Sequence, residues 1–200
     1  AEDIPLDVAS LLGCAVTTGL GIVFNNADLK PGQSLIVFGC GGVGLNVIQG
    51  ASLVNAYPIV AVDILAKKLK LAEQFGAHQT IQMIEPHRVE GFDVAVDTTG
   101  IKSVREMAYN SARKIIFAGV PNADEKITID SYPIHAGRQI IGSHGGATNP
   151  DVDIPRYLKL YQMGKLKLEE QITHRFPLEQ INEAIEVVRK GEAGRCLIWM

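Results

Sequence analysis

Residues 34–44 are Ser34-Leu35-Ile36-Val37-Phe38-Gly39-Cys40-Gly41-Gly42-Val43-Gly44, and this run indicates the class of fold. Its first half is apolar and predicts a buried strand over residues 34–38. Three glycines follow with the spacing Gly-x-Gly-x-x-Gly, and apolar residues then recur with helical spacing, which predicts a helix over residues 42–55. A strand that passes through such a loop into a helix is typical of a dinucleotide-binding site.

Each glycine of this loop has a physical role in such a site. We expect Gly39 to permit the tight turn, Gly41 to let the backbone approach the phosphates, and Gly44 to let the helix lie close to the strand. The free N–H groups of the first helical turn would then face a pyrophosphate.

The next acidic and basic residues suggest which nucleotide binds. Asp63 comes nineteen residues after Gly44, at the end of the second predicted strand. A carboxylate there accepts hydrogen bonds from ribose hydroxyls and repels a 2′-phosphate, which favours NAD over NADP, although the same residue could be a solvated strand-end acid. Lys68 either contacts the adenosine or faces solvent.

Apolar strand patterns and helical patterns alternate along the first 145 residues. This order predicts an α/β fold of the Rossmann type, a doubly wound parallel six-stranded sheet with helices on both faces, preceded by a helical lead-in. The predicted strands are residues 34–38, 58–64, 80–83, 91–97, 114–120 and 138–143, and the helices between them are residues 42–55, 66–76 and 104–112.

The pattern changes near residue 145, which divides the chain into a domain over 1–145 and a segment over 146–200. The segment has two amphipathic helices that end at Gly164 and Gly191, with Pro155 and Pro177 near their starts. A final apolar run, residues 196–200, predicts a strand for which no earlier residue is an obvious partner. We expect this segment to be a largely helical remnant that packs on a second domain.

Composition excludes several classes of function. Of 200 residues, 46% are hydrophobic and the net charge is −3 without a block of like charges, so neither a nucleic-acid partner nor a membrane surface is indicated. The run of 18 apolar residues that a membrane helix needs is absent from the sequence, as is a secretory signal pattern. Three widely spaced cysteines fit the reducing cytoplasm. A nucleophilic triad cannot be argued from the histidines at positions 78, 87, 135 and 144.

Several motifs together resemble the cofactor-binding half of zinc-dependent medium-chain alcohol dehydrogenases. The resemblance covers nearly the whole chain. The motifs are Leu12-Gly13-Cys14-Ala15-Val16-Thr17-Thr18-Gly19-Leu20-Gly21, Val37-Phe38-Gly39-Cys40-Gly41-Gly42-Val43-Gly44, Ala61-Val62-Asp63-Ile64, Asp97-Thr98-Thr99-Gly100, Phe117-Ala118-Gly119-Val120-Pro121, Ile172-Thr173-His174 and Gly191-Glu192-Ala193-Gly194-Arg195.

The resemblance implies a role for individual residues. Cys14 occupies the position of a catalytic-zinc ligand, whereas without the flanking motif a lone cysteine would be assigned to packing. Arg195 matches an arginine that meets the pyrophosphate, its alternative being a surface cation. The remaining implied cofactor contacts are Thr18 and Val43 beside the nicotinamide, Gly119 and Val120 at its carboxamide, and Gly42 and Thr98. Cys40, by contrast, is expected only to pack.

For the intact protein, the resemblance implies NAD-dependent, zinc-assisted oxidation of a small alcohol to an aldehyde or ketone. The sequence begins at Ala1 rather than Met, and the family's N-terminal catalytic domain has no counterpart here, so we expect no turnover from this chain alone. A homodimer through the sheet edge near residues 127–140 is also implied. Two alternatives stay open: a non-enzymatic NAD-binding sensor or assembly module, and a zinc-free quinone reductase that uses NADPH.

Overall fold

A parallel β-sheet organises the first two thirds of the chain. The computed structural model describes residues 4–84 and 89–200, so His87 lies outside the described residues. Six parallel strands have the order β3-β2-β1-β4-β5-β6. They are β1 (Leu35–Phe38), β2 (Ile59–Asp63), β3 (Gln79–Gln82), β4 (Phe92–Asp97), β5 (Ala112–Phe117) and β6 (Gln139–Gly142). The predicted α/β fold with a doubly wound six-stranded sheet is confirmed.

Helices cover both faces of the sheet and precede it. The α-helices are α1 (Leu6–Ser10), α2 (Ala15–Gly21), α3 (Gly42–Leu53), α4 (Ala66–Gln74), α5 (Lys102–Ser111), α6 (Tyr132–His135), α7 (Pro150–Gln162) and α8 (Ile181–Arg189). A π-helix, Ile22–Ala27, extends α2, and 3-10 turns lie at Leu11–Gly13, Gly145–Ala147, Glu169–Gln171 and Leu178–Gln180.

The core has three clusters, of which two lie on opposite faces of the sheet because strand side chains alternate between its faces. Val37 of β1 belongs to a cluster with apolar residues of α3 and α4, whereas its neighbours Ile36 and Phe38 belong to a second cluster with α5. A third cluster joins the N-terminal helices to α7 and contains Val16, Leu20 and Tyr157. The segment after residue 145 therefore shares a core with the beginning of the chain.

The fifth strand ends three residues earlier than predicted. Beyond Phe117, the N–H groups of Ala118 and Gly119 both donate to the carbonyl of Asp97, each at 2.9 Å. This pairing turns the backbone across the end of β4 instead of continuing the ladder. Val120, which was expected at the end of the strand, is 89% exposed.

One expectation for the last segment was wrong. The terminal run does have a partner, because β7 (Ile172–Pro177) pairs in parallel with β8 (Arg195–Trp199) as a separate two-stranded sheet. In β7 three consecutive polar residues, Thr173, His174 and Arg175, interrupt the apolar pattern, and its side chains are exposed or only half-buried. A search for apolar runs therefore misses this strand.

The prolines of this segment also need correction. Pro155 lies inside α7 rather than near its start, which is marked by Asn149 and Pro150. Pro177 is the last residue of β7. In α8 the apolar face is present as predicted, but only Ala184 is buried.

Among the residues that the structure describes, no single helix is long and apolar enough to cross a membrane, although the bent pair Leu6–Gly13 and Ala15–Ala27 meets that test by length and composition.

Candidate functional site

A cavity of about 720 Å³ opens at the carboxyl ends of β1, β2 and β4. The strand order reverses between β1 and β4, and ligands of doubly wound sheets bind at such a switch point. The cavity brings together eight of the predicted site residues. They are Gly39, Gly41, Gly42, Val43, Asp63, Lys68, Thr98 and Arg195.

The glycine loop connects β1 to α3 with little room for side chains. Gly39 has φ +91°, and its N–H donates to the Val62 carbonyl at 2.8 Å. A Cβ on Gly44 would lie 1.9 Å from the Gly39 carbonyl oxygen, so the helix start packs against the loop itself. A Cβ on Gly41, by contrast, would meet nothing within 4 Å. Gly41 therefore leaves space on the cavity side of the loop.

Arg195 lies against the first residue of α3. A Cβ on Gly42 would be 2.4 Å from its Nε and 2.7 Å from its Cζ. Burial lowers the pKa of the guanidinium, while the charge of Cys14 opposes that shift. Within residues 4–84 and 89–200, no carboxylate forms an ion pair with Arg195. A partly desolvated cation beside a helix N-terminus, without an acidic partner, suits a diphosphate.

Asp63 accepts backbone hydrogen bonds from the glycine loop and from the segment that follows β2. Its Oδ2 accepts the N–H of Cys40 at 2.7 Å, and its Oδ1 accepts the N–H of Leu65 at 2.9 Å. A carboxylate has about four lone-pair sites, so these bonds leave it able to accept ribose hydroxyls. Lys68 is half-buried and lines the same cavity near Gly191.

Thr98 supports the loop from β4. Its hydroxyl lies 3.0 Å from both the Phe38 and the Gly39 carbonyl oxygens. The preceding residue, Asp97, is completely buried and accepts hydrogen bonds from the Thr99 N–H, the Thr99 hydroxyl and the Gly100 N–H. Sequence reasoning did not assign a role to Asp97, although a strand-end Asp before Thr-Thr-Gly is typical of a side-chain-capped turn.

Five of the predicted site residues do not line this cavity: Cys14, Thr18, Gly44, Gly119 and Val120. Gly119 packs tightly on the turn after β4, since a Cβ there would be 2.0 Å from the Gly100 nitrogen. Val120 follows it and is exposed. Thr18 belongs to α2, where its N–H donates to the carbonyl of Cys14 at 2.9 Å.

Cys14 precedes α2 and is exposed, which argues against a packing role. A catalytic zinc takes three protein ligands. In the parts of the chain that the structure describes, no group of three His, Cys, Asp or Glu residues could hold a metal ion. These residues alone therefore do not fit a zinc ion.

Cys40, unlike the exposed Cys14, is buried. It is 1% exposed, and its Sγ lies 3.7 Å from the Val62 carbonyl oxygen. Burial raises the pKa of the Cys40 thiol to about 12, with a further contribution from Asp63. The geometry fits the packing role expected of it.

The apolar wall of the cavity was missed by sequence reasoning. Its members come from the ends of β2 and β3 and from α5, and nothing in their spacing marks them. They are Ile64, Met83, Ile84, Ile101, Val104 and Met107.

Comparison with known proteins gives consistent matches. The family profile described as "Zinc-binding dehydrogenase" matches residues 42–162. S-(hydroxymethyl)glutathione dehydrogenase of Saccharomyces cerevisiae is 38% identical over 211 residues, covering 97% of this chain and 55% of the yeast protein. Alcohol dehydrogenase-like 2 of Arabidopsis thaliana is 34% identical and covers 100% of this chain and 56% of the plant protein. The chain thus spans about half the length of the curated relatives it matches.

A solved structure agrees with these relatives. Benzyl alcohol dehydrogenase from Acinetobacter calcoaceticus superposes with a TM-score of 0.93 at 28% identity, over 99% of this chain and 58% of that one.

Proposed function

The chain belongs to the zinc-binding dehydrogenase family, and from this premise we propose that it is the NAD-binding part of an alcohol dehydrogenase that oxidises a small alcohol to an aldehyde or ketone. The observation that carries the proposal is the position of Arg195 against Gly42, with no ion-pair partner in the described chain. When bound, NAD supplies the hydride acceptor of the reaction.

The residues of the cavity have distinct tasks in this proposal. Arg195 and the backbone at Gly41 and Gly42 hold the pyrophosphate at the N-terminus of α3. Asp63 accepts the adenosine ribose hydroxyls and disfavours a 2′-phosphate, while Lys68 contacts the same ribose. The apolar wall formed by β2, β3 and α5 receives the adenine, because such a wall can stack on a planar ring.

The nicotinamide end is assigned to Val43, which lines the cavity, and to residues outside it. Thr18 and Val43 would lie beside the ring, and Gly119 and Val120 would bond its carboxamide through their backbone. Cys14 would serve as one zinc ligand of the whole enzyme. Because the described residues do not complete a zinc site, we expect no alcohol oxidation from this chain alone. The proposal also includes a cytoplasmic homodimer joined through the edge of β6.

Calorimetric titration with NAD and with NADP tests the proposal. We expect NAD to bind about tenfold more tightly than NADP, since Asp63 repels the extra phosphate. In Asp63→Ser this preference should fall to about threefold or less. Asp151→Asn, which changes an exposed carboxylate on α7, is the matched control and should leave the preference unchanged.

Two results would contradict the assignment. If neither nucleotide binds, the cavity is not a dinucleotide site. A preference for NADP in the unmodified protein would refute the role of Asp63 and favour the quinone reductase class.

A further inference from the structure

Three amide side chains form a buried cluster outside the cavity. Asn46 and Gln171 are completely buried, and Gln49 is 4% exposed. Asn46 and Gln171 pair with each other in both directions: Asn46 Nδ2 donates to Gln171 Oε1 at 2.7 Å, and Gln171 Nε2 donates to Asn46 Oδ1 at 3.2 Å. Gln49 Nε2 also donates to Asn46 Oδ1, at 2.6 Å.

Backbone groups provide further hydrogen-bond partners for this amide cluster. Asn46 Nδ2 donates to the Gly42 carbonyl at 2.7 Å, and Gln171 Nε2 donates to the Lys167 carbonyl at 2.8 Å. Gln49 Oε1 accepts the Lys167 N–H at 3.1 Å. Both protons and the oxygen of Asn46 are therefore satisfied. A buried amide that is hydrogen-bonded in this way favours one geometry, and removing one of its partners leaves a polar group unpaired at a cost in free energy.

The amide cluster joins two segments that are 125 residues apart in sequence. On one side, Asn46 and Gln49 lie on α3, which begins at Gly42. On the other side, Gln171 immediately precedes β7, whose first residue, Ile172, is the register partner of Arg195.

A second contact closes this connection. A Cβ on Gly194 would be 2.9 Å from the Gln171 carbonyl oxygen, so the residue before Arg195 packs directly on the backbone of Gln171. The contacts therefore run from Gly42 through Asn46 and Gln171 to Arg195, which itself lies against Gly42.

The small sheet that carries Arg195 needs such an attachment. It has two strands, and the side chains of β8 are half-buried or exposed. A two-stranded sheet is marginally stable by itself. Apolar contacts hold surfaces together without fixing direction, whereas paired amides fix both distance and orientation.

From these contacts we propose that Asn46 and Gln171 are positioning residues, which hold the Arg195 guanidinium against the first turn of α3 and thereby set the affinity for the diphosphate of the nucleotide. The inference rests on the proposed function. A guanidinium binds a diphosphate well only when its planar donor pair is correctly oriented. Loss of the amide pair should therefore weaken ligands that contain a diphosphate and spare ligands that do not.

The test compares ADP with adenosine, which lacks the diphosphate. In Gln171→Leu we expect ADP affinity to fall by about three- to tenfold and adenosine affinity to change by less than about twofold. In an Arg195→Leu background, the further substitution Gln171→Leu should have no additional effect on ADP, because the residue through which it acts is already absent.

The matched control is Ser111→Ala. Ser111 is completely buried, and its hydroxyl bonds the Met107 and Ala108 carbonyls within α5, away from Arg195. We expect this variant to lose stability while keeping the affinities for ADP and adenosine. If Gln171→Leu does not fold, Gln171→Glu serves instead, since it keeps the shape and replaces the donor to Asn46 by an acceptor.

The possible failures are distinguishable. If the unmodified protein binds neither ADP nor NAD, the proposed function is refuted and the inference with it. If the unmodified protein binds ADP, but the losses from Gln171→Leu and Arg195→Leu are additive or equal for adenosine, only the positioning role is refuted.

Discussion

At the scale of the residue, two glycines of the same loop are required for different reasons. A Cβ on Gly44 would collide with the backbone at 1.9 Å, whereas one on Gly41 would enter open space at the cavity. We predict that Gly44→Ala lowers the free energy of unfolding by about 2–4 kcal/mol because the backbone must shift. Gly41→Ala should keep its stability to within about 0.5 kcal/mol but lose about tenfold or more in NAD affinity, because the methyl group occupies the approach to the diphosphate.

Urea denaturation and NAD titration measure these two effects separately. Gly142→Ala is the control, because a Cβ at that position also meets nothing within 4 Å and lies outside the cavity. Unchanged NAD binding by Gly41→Ala would show that the diphosphate does not approach this part of the loop.

Asp93 makes the stability of the fold depend on pH. Its carboxylate accepts the N–H and the hydroxyl of Ser34, both at 2.8 Å, and these bonds lower its pKa below the ordinary value of 3.8. A lowered carboxyl pKa contributes stability above 3.8 that is lost as the pH falls from there through the folded-state pKa. We predict that Asp93→Asn is about 1 kcal/mol less stable than the unmodified protein at pH 7.

The difference between the two proteins should narrow as the pH falls below 3.8, because the unmodified carboxyl group then also becomes protonated. Guanidinium denaturation at a series of pH values measures this. The exposed Asp151, changed to Asn, is the control. A difference in unfolding free energy that stays constant from pH 7 into strong acid would mean that the charge of Asp93 does not contribute to stability.

Single residues were predictable where the backbone demands a residue type. The glycines of the loop and the strand-end acid Asp63 have local signals in the sequence. Arg195 was placed only by the family resemblance, because no local rule says that an arginine beyond α8 meets Gly42. The pairing of Asn46 with Gln171 has no signal in one sequence, since buried amides and exposed amides look alike until the fold brings them together.

At the scale of the element, α7 contains a proline where a helix normally needs an N–H group. Pro155 is the sixth residue of α7, whereas Pro150 is the first, where a missing N–H has no cost. We predict that Pro155→Ala stabilises the protein by about 1–2 kcal/mol, because the gain in helix hydrogen bonding exceeds the lost rigidity of the unfolded chain.

Thermal and urea unfolding measure this effect, and Pro150→Ala is the matched control, expected to be neutral or slightly destabilising. An unchanged or lower stability of Pro155→Ala would indicate that the packing of α7 against the N-terminal helices requires the proline ring.

Elements whose apolar residues recur with a regular spacing could be predicted from the sequence, and elements without such spacing could not. The inner strands of the main sheet, such as β1 and β2, are apolar and buried because both faces are covered, so their positions could be predicted to within a few residues. By contrast, β7 carries Thr173, His174 and Arg175 in a half-exposed sheet, and its existence depends on pairing with β8. Tertiary contact, rather than local pattern, makes it a strand.

At the scale of the whole molecule, β6 is the edge of the main sheet. Its backbone is paired on one side with β5, and Ile140 is 37% exposed. Residues 127 and 129, also expected near the interface, pack partly onto the second core cluster instead. We predict that the protein sediments as a dimer and that Ile140→Lys shifts it to the monomer, because a charged side chain at an edge opposes strand pairing.

Sedimentation at several protein concentrations measures the oligomeric state. Val152→Lys places the same charge on α7 and should leave the dimer intact, since Val152 is comparably exposed at 40%. A monomer at every concentration, or a dimer that survives Ile140→Lys, would contradict an interface at this edge.

The fold of the main sheet could be predicted because alternation of strands and helices permits few topologies. The boundary near residue 145 stays a prediction: β6 ends at Gly142, but α7 shares a core cluster with Val16 and Leu20. Contacts between distant parts of the chain are what a single sequence does not reveal.

The amide cluster also has a consequence for synthesis. A ribosome adds about 5–20 residues per second, so Asn46 emerges several seconds before Gln171, 125 positions later. During that interval α3 can form, but Asn46 lacks Gln171 as a partner and Gly42 has no arginine beside it. Under the proposed function, the diphosphate site is complete only after Arg195 has been translated. We therefore expect cofactor binding to follow, rather than guide, the folding of the main sheet.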